Sequence, residues 1–382
     1  DITLLTDIFL RLIKMIIAPL VFTTLVVGIA KMGDTRTVGR IGAKTLGWFM
    51  LASLMSLTLG LVMVHLMQPG VGLSLSLPDD GASSGVAATA ISLKDFVTHA
   101  IPKSVIEAMA TNEILQIVVF SLFFGLAAAA LGDAAKPVVM LMASAAEIML
   151  KVTGYVMNFA PFAVFGAIAA MVAKEGLGIL ATYGTFMAQF YLALACLWLL
   201  LIAMGSLFIR RRILTLLAMI REPILLAFST ASSEAAYPKT LDRLEKFGCD
   251  KRIASFVLPM GYSFNLDGSM MYCTFAVMFI AQAYGIELSM AQQITMLLLL
   301  MVTSKGMAGV PRASLVVIAA TLNQFQIPEA GILLLLGIDH FLDMGRSATN
   351  VLGNAIAASV VAKTEDSLGE TAPLGETDLA KV

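Results

Sequence analysis

The chain has 382 residues, of which 59% are hydrophobic and 13% charged, with a net charge of -1 and a mean hydropathy of +0.89. Those values exclude an ordinary soluble domain, and the near-zero charge offers no basic field for nucleic acid. Cys196, Cys249 and Cys273 and the three histidines show no paired or metal-type spacing, so neither a disulfide framework nor a zinc site is indicated.

Apolar blocks long enough to cross a bilayer fall at Ile8 to Ala30, Leu46 to Met67, Ile114 to Leu131, Val138 to Ala173, Ile179 to Ile209, Ile253 to Tyr284 and Ile332 to Val361. The chain opens at Asp1 rather than Met, and an earlier segment is expected to be missing. The over-long fourth block is expected to bend or break at Gly154 and Pro161. Lys31, Arg36, Arg40 and Lys44 mark one loop as cytoplasmic, whereas the Gly/Ser/Asp-rich loop from Pro69 to Ser92 has no Lys or Arg and fits the outside. Lys136 and the run Arg210 to Arg212 are inside again by the same rule.

Arg210 to Arg212 and Lys246 to Arg252 both read as cytoplasmic, yet the apolar stretch Leu214 to Phe228 and the sequence STASSEAAYP lie between them. The chain must go in and come back. Ile294 to Leu322 repeats the pattern from the other side, with two short apolar arms around SKGMAGVPRAS. Such re-entrant hairpins are tolerated only where protein or a hydrated cavity satisfies their backbone. Two of them from opposite faces, each followed by a helix with a polar insertion, predict an inverted repeat with a site at the midplane. In Ile253 to Tyr284 that insertion is GYSFNLDGSMMY, where Gly261 and Gly268 bracket Asn265 and Asp267 and favour local unwinding.

The last block carries the polar ladder. Asp339, Asp343, Arg346, Asn350 and Asn354 fall at about 0°, 40°, 340°, 20° and 60° on a helix, one narrow stripe. Each Asp or Arg at mid-bilayer costs about 2.5–3.5 kcal/mol, so the stripe implies a use. A structural ion pair between Asp343 and Arg346 would account for two charges, but Asp339 and Asp343 compete for one Arg and leave capacity for a ligand.

STASSEAAYP, NLDGS, SKGMAGVP and DMGRSATNVLGN, in that order, resemble the marks of the dicarboxylate/amino acid:cation symporter family, and the likeness runs over essentially the whole chain. The resemblance implies an all-α membrane protein with eight transmembrane helices, the first missing here, plus two re-entrant helical hairpins and inverted repeats. It implies a homotrimer in a bacterial inner membrane. Residues 1–38 and 104–175 would form a fixed scaffold, 70–103 an extracellular loop and 364–382 a cytoplasmic tail. A transport domain of 39–69 and 176–363 would move like an elevator. Within it lie hairpin 1 (213–245), the unwound helix (252–284), hairpin 2 (288–325), which would be the extracellular gate, and the last helix (331–362). By position, Arg346 would bind a substrate carboxylate and Asp343 the α-ammonium group, with Ser232, Ser233, Ser269, Val310, Ser314, Ser347 and Asn350 completing the pocket. The coupling ion would be handled by Asn265, Asp267, Ser304, Asp339, Asn350, Asn354 or Glu234, with Gly261, Asn265 and Asn350 as remnants of a sodium site.

Substrate and coupling are argued from charge. A plain C4-dicarboxylate would face Asp343 as an unpaired anion, so L-glutamate or L-aspartate is favoured over succinate, fumarate or malate. Arg312, where relatives commonly have Gly, adds a positive charge at the gate. Asn354 where sodium-coupled relatives have Asp, Phe49 and Ala52 where they have hydroxyls beside Ser53, and Lys305 next to Ser304 all disfavour sodium, which needs hard oxygen ligands and negative charge. Proton coupling through Asp339, Asp267 or Glu234 is expected, with no other cofactor. A channel would show a ring-forming motif of one sign rather than the Asp343 and Arg346 pair. A hydrolase using Ser233 would need a base that the scattered histidines do not supply, whereas a buried aspartate pair could activate water without one; a transporter, not an enzyme, is expected.

Overall fold

In the computed structural model, residues 3–32, 35–71, 100–159, 161–162, 165–166, 169, 178–304 and 313–371 are described. Among them the chain is helical, with one isolated bridge between Cys249 and Leu368. The helices are α1 (Thr3–Met32), α2 (Thr35–Met67), α3 (Val105–Ala110), α4 (Ile114–Leu131), α5 (Lys136–Met157), α6 (Gly178–Ile209), α7 (Arg212–Thr230), α8 (Tyr237–Phe247), α9 (Lys251–Phe264), α10 (Asp267–Ala283), α11 (Met290–Thr303), α12 (Ala313–Gln324), α13 (Leu333–Leu336) and α14 (Asp339–Thr364). Among the described residues, five stretches, Arg36–Met67, Ile114–Val156, Tyr183–Ile209, Arg212–Thr230 and Lys251–Ala283, are long and apolar enough to cross a membrane. Exposed Leu199, Leu207, Leu214 and Phe123 on their outer faces fit contact with lipid rather than water.

α14 is not among the five, although it has 26 residues. Arg346, Asn350 and Asn354 lower its hydropathy, and it compensates by burial: every residue from Met344 to Ala362 is buried. α2, α6, α7, α9 and α10 pack around it. α1 packs instead on α4 and α5, and meets the rest chiefly through α9.

Three local features place the polar groups. Asn265 (φ -129°, ψ 58°) and Leu266 (φ -92°, ψ 64°) leave helical geometry, so the block that begins at Ile253 is two helices, with Asp267 in the first turn of α10. A carboxylate is stabilised there by the helix dipole. α7 ends on Ala231 in the left-handed region (φ 47°), whose amide donates to the carbonyls of Ala227 and Phe228; a turn through Glu234–Ala236 follows, and α8 packs back on α7. The run from Ile332, read above as one helix, is interrupted at Gly337 and Ile338, and α14 starts at Asp339. The break gives Asp339 the same first-turn position as Asp267, which a continuous helix would not. The fourth block yields α5 only as far as Met157; its Pro161 lies beyond that helix, among partly described residues.

After α14 the chain runs back as a strap. Glu365 accepts hydrogen bonds from Arg40 (2.8 Å) and pairs with Lys44 (2.5 Å), and the Ser367 carbonyl accepts from the Asp250 amide. The Arg40 guanidinium holds the Glu365 carboxyl below its usual value, with Lys44 adding to the effect. The stabilisation from this group is therefore complete above its unfolded value of about 4.5 and is lost as pH falls through the lower folded value. Glu365→Gln should lower stability at pH 7 by about 1 kcal/mol, because the Glu365 side chain is only 6% exposed but its partners are half-exposed. Thermal unfolding in detergent should show the gap between variant and parent closing below pH 4.

Candidate functional site

The ladder of α14 meets the break between α9 and α10 in two linked clusters. At the first, Arg346 is 2% exposed, and its Nη2 lies 3.2 Å from Asp339 Oδ1 and 3.0 Å from Asp343 Oδ1. Its guanidinium stacks 4.0 Å from the centroid of the Tyr272 ring, and the Tyr272 hydroxyl donates to Asp339 Oδ1 at 3.2 Å. A cation on an aromatic face in a dry site is held in place as well as paired. One nitrogen thus serves both carboxylates. Nε and Nη1 of Arg346 are buried and have no hydrogen-bond partner among the described residues. Leaving two such donors unmade costs about 1–3 kcal/mol each, so the guanidinium keeps donors that an incoming carboxylate could use. The Asp343 side chain is 35% exposed, against 5% for Asp339, so Asp343 is the carboxylate that a solute can reach.

The second cluster lies one to two turns further along. Asn350 accepts from the Gly268 amide (2.9 Å) and donates to Ser269 Oγ (3.3 Å), which fastens α14 to the start of α10. Asn265 Nδ2 donates to Asp267 Oδ2 (3.0 Å) and to Asn354 Oδ1 (3.1 Å), and the Ser56 hydroxyl donates to Asp267 Oδ1 at 3.3 Å. Asn265, Asp267, Asn354, Ser53 and Ser56 are all fully buried. Among the described residues Asn265 Oδ1 has no donor. Two glycines make this approach possible: a Cβ on Gly353 would stand 2.0 Å from Asp267 Oδ2, and one on Gly261 would stand 2.2 Å from Asn354 Oδ1.

The remaining sequence candidates are spread around these clusters. Ser347 is buried on α14 and Ser314 on α12, where the Ser314 carbonyl lies 4.0 Å from Cys273 Sγ. Ser304 is buried at the end of α11 and bonds the Met301 carbonyl. Ser232 and Ser233 sit in the turn after α7, where Ser232 Oγ accepts from the Ala235 amide. No described contact joins them to Arg346 directly; nearby, Tyr191 of α6 packs its ring on Phe228 of α7 and donates its hydroxyl to the Phe341 carbonyl of α14. Glu234 lies in the same turn, which packs against α1. Lys305, Val310 and Arg312 lie outside the described residues. Among the described residues no cluster of three or more His, Cys, Asp or Glu could hold a metal ion.

Residues 1–364 match the family described as the sodium:dicarboxylate symporter family. The chain belongs to that family. It is 43% identical over 370 residues to the proton/sodium-glutamate symport protein of Bacillus caldotenax, covering 95% of this chain and 88% of that one. It is 42% identical over 369 residues to the C4-dicarboxylate transport protein of Laribacter hongkongensis, covering 95% and 83%. It is also 40% identical over 362 residues to the proton/glutamate-aspartate symporter of Bacillus subtilis, covering 94% and 87%. Relatives named for either substrate class are thus similar to this symporter family member at nearly the same level.

Three side chains at the site escaped the sequence reading. Ser56 is one helical turn beyond Ser53 on α2, and that spacing was the available signal. Tyr272 stands five residues after Asp267 in NLDGSMMY, where its ring passed as part of an apolar helix face. Trp198, whose indole donates to Thr349 Oγ1 at 2.7 Å, supports α14 from α6 and gave no signal in sequence.

Proposed function

We propose that this symporter imports L-glutamate and L-aspartate together with a cation, by an elevator movement of a transport domain within a homotrimer. The observation that carries the substrate reading is that Nε and Nη1 of Arg346 have no partner among the described residues, beside a half-accessible Asp343. The Arg346 guanidinium takes the side-chain carboxylate through these donors, and Asp343 takes the α-ammonium group. Ser269, Ser347, Asn350 and Ser314 supply the polar wall. Val310 and the backbone at Ser232 and Ser233 close it from the two hairpins, which in this reading are α7 with α8 and α11 with α12. The names borne by the relatives from B. caldotenax and B. subtilis support the same substrates. With succinate in place of aspartate, Asp343 would meet a second anion instead of an ammonium group.

The cation in this proposal is a proton, carried by Asp339, Asp267 or Glu234. Asn354 contributes an amide to the Asp267 cluster and no second negative charge, which weakens a sodium site there. Two observations favour sodium instead: among the described residues the buried Asn265 Oδ1 has no donor, and Ser56 brings a hydroxyl oxygen to Asp267. Proteoliposomes separate the two. Labelled aspartate should accumulate under an inward proton gradient without sodium, and a requirement for sodium would overturn proton coupling. Asp343→Asn should cut aspartate uptake at least tenfold while succinate uptake holds or rises. If succinate rather than aspartate is accumulated by the parent protein, the substrate assignment fails.

A further inference from the structure

The turn between α6 and α7 carries three consecutive arginines that the transport site does not use. Arg210 is in the left-handed region (φ 51°), a conformation uncommon for a residue other than glycine, and the turn it makes sets Arg210 and Arg211 outward at the helix ends. Arg212 is committed elsewhere. It donates to the carbonyls of Phe247 and Gly369, both at 2.8 Å, and stacks on the Phe247 ring, so it pins the C-terminal strap. Arg210, Arg211 and Lys363, the last at the C-terminal end of α14, are exposed and make no ion pair among the described residues. These cations line a cavity of about 880 Å³. Its wall continues into Leu207 and Phe208, which are 79% and 42% exposed on the last turn of the apolar helix α6.

A phosphate alone would find the cations but would leave the apolar wall bare. A molecule carrying both phosphate and acyl chains satisfies both parts, and by the distribution of Lys and Arg the cavity opens at the cytoplasmic leaflet. The geometry points to a binding site for an anionic phospholipid, with its headgroup phosphate between Arg210, Arg211 and Lys363 and its chains against Leu207 and Phe208. The site couples the start of α7 to the end of α14, so an occupied site braces the two elements that Arg212 and the strap already join.

The test titrates phosphatidylglycerol or phosphatidylcholine into the full chain in neutral detergent and follows thermal unfolding. Phosphatidylglycerol should raise the unfolding temperature, and phosphatidylcholine should not. R210Q/R211Q should raise the half-saturating phosphatidylglycerol concentration about 25-fold, at about fivefold for each cation near a membrane surface. R210K/R211K keeps the charge and should stay within a few fold of the parent. Lys136→Gln, a cytoplasmic-side change outside the cavity, should leave the response intact. An unchanged response in R210Q/R211Q would overturn the site, as would equal protection by phosphatidylcholine. Protection by millimolar inorganic phosphate as strong as that by the lipid would overturn the lipid as occupant.

Discussion

Replacing Arg346 by cysteine should reduce aspartate and glutamate uptake at least a hundredfold while the protein still reaches the membrane. Two charged hydrogen bonds to a substrate carboxylate are each worth about 1.5–3 kcal/mol, and in the proposed pocket Nε and Nη1 of Arg346 are the donors left to make them. The same change leaves Asp339 and Asp343 without their shared cation, and breaking a buried pair typically costs about 3–5 kcal/mol. Lost stability and lost binding must therefore be told apart. Arg346→Cys combined with Asp339→Asn removes the buried charge that Arg346 neutralised and should recover much of the thermal stability. It should not recover uptake. Arg346→Lys tests the geometry, since an ammonium can neutralise the aspartates but cannot form the planar fork. Uptake by Arg346→Cys near the parental rate would show that the pocket lies elsewhere.

The second large effect is expected at Gly353. A methyl group there would stand 2.0 Å from Asp267 Oδ2 and 3.4 Å from Asn265 Nδ2, so it must push the carboxylate off its partners or separate α14 from α10. Overpacking of this kind costs about 1–3 kcal/mol in an ordinary core. Here the displaced atom belongs to a buried carboxylate, and its bonds to Ser56 and Asn265 go with it. Gly353→Ala should thus lower the unfolding temperature and disturb cation coupling together, seen as a shift in the pH or sodium dependence of aspartate uptake. Gly268→Ala is the useful comparison. Its Cβ would meet Arg346 backbone at 2.6 Å, closer to the proposed substrate cluster, so its effect should fall on substrate affinity more than on the cation. If Gly353→Ala altered affinity alone, the Asp267 cluster would have no part in coupling.

Much of this protein is set by its sequence alone, because the decisive signals are local. Apolar blocks between clusters of Lys and Arg make it a membrane protein, and a stripe of Asp339, Asp343, Arg346, Asn350 and Asn354 follows from helical period without reference to any other element. Gly261, Asn265, Asp267 and Gly268 foretell a break, and the structure breaks the helix at Asn265 and Leu266. What only the tertiary structure decided depends on contacts between distant elements. Asp339 could be read as a free carboxylate in the ladder; in the fold it lies on Arg346 and accepts from Tyr272, residues on two different helices. Ser56 reaches Asp267 across 211 positions of sequence, and Asn354 reaches Asn265 across 89. Hydropathy records which faces are apolar, but it cannot say which polar atoms on two buried faces come within hydrogen-bond range. That is settled by how closely the backbones approach, and here Gly353 and Gly261 set the distance.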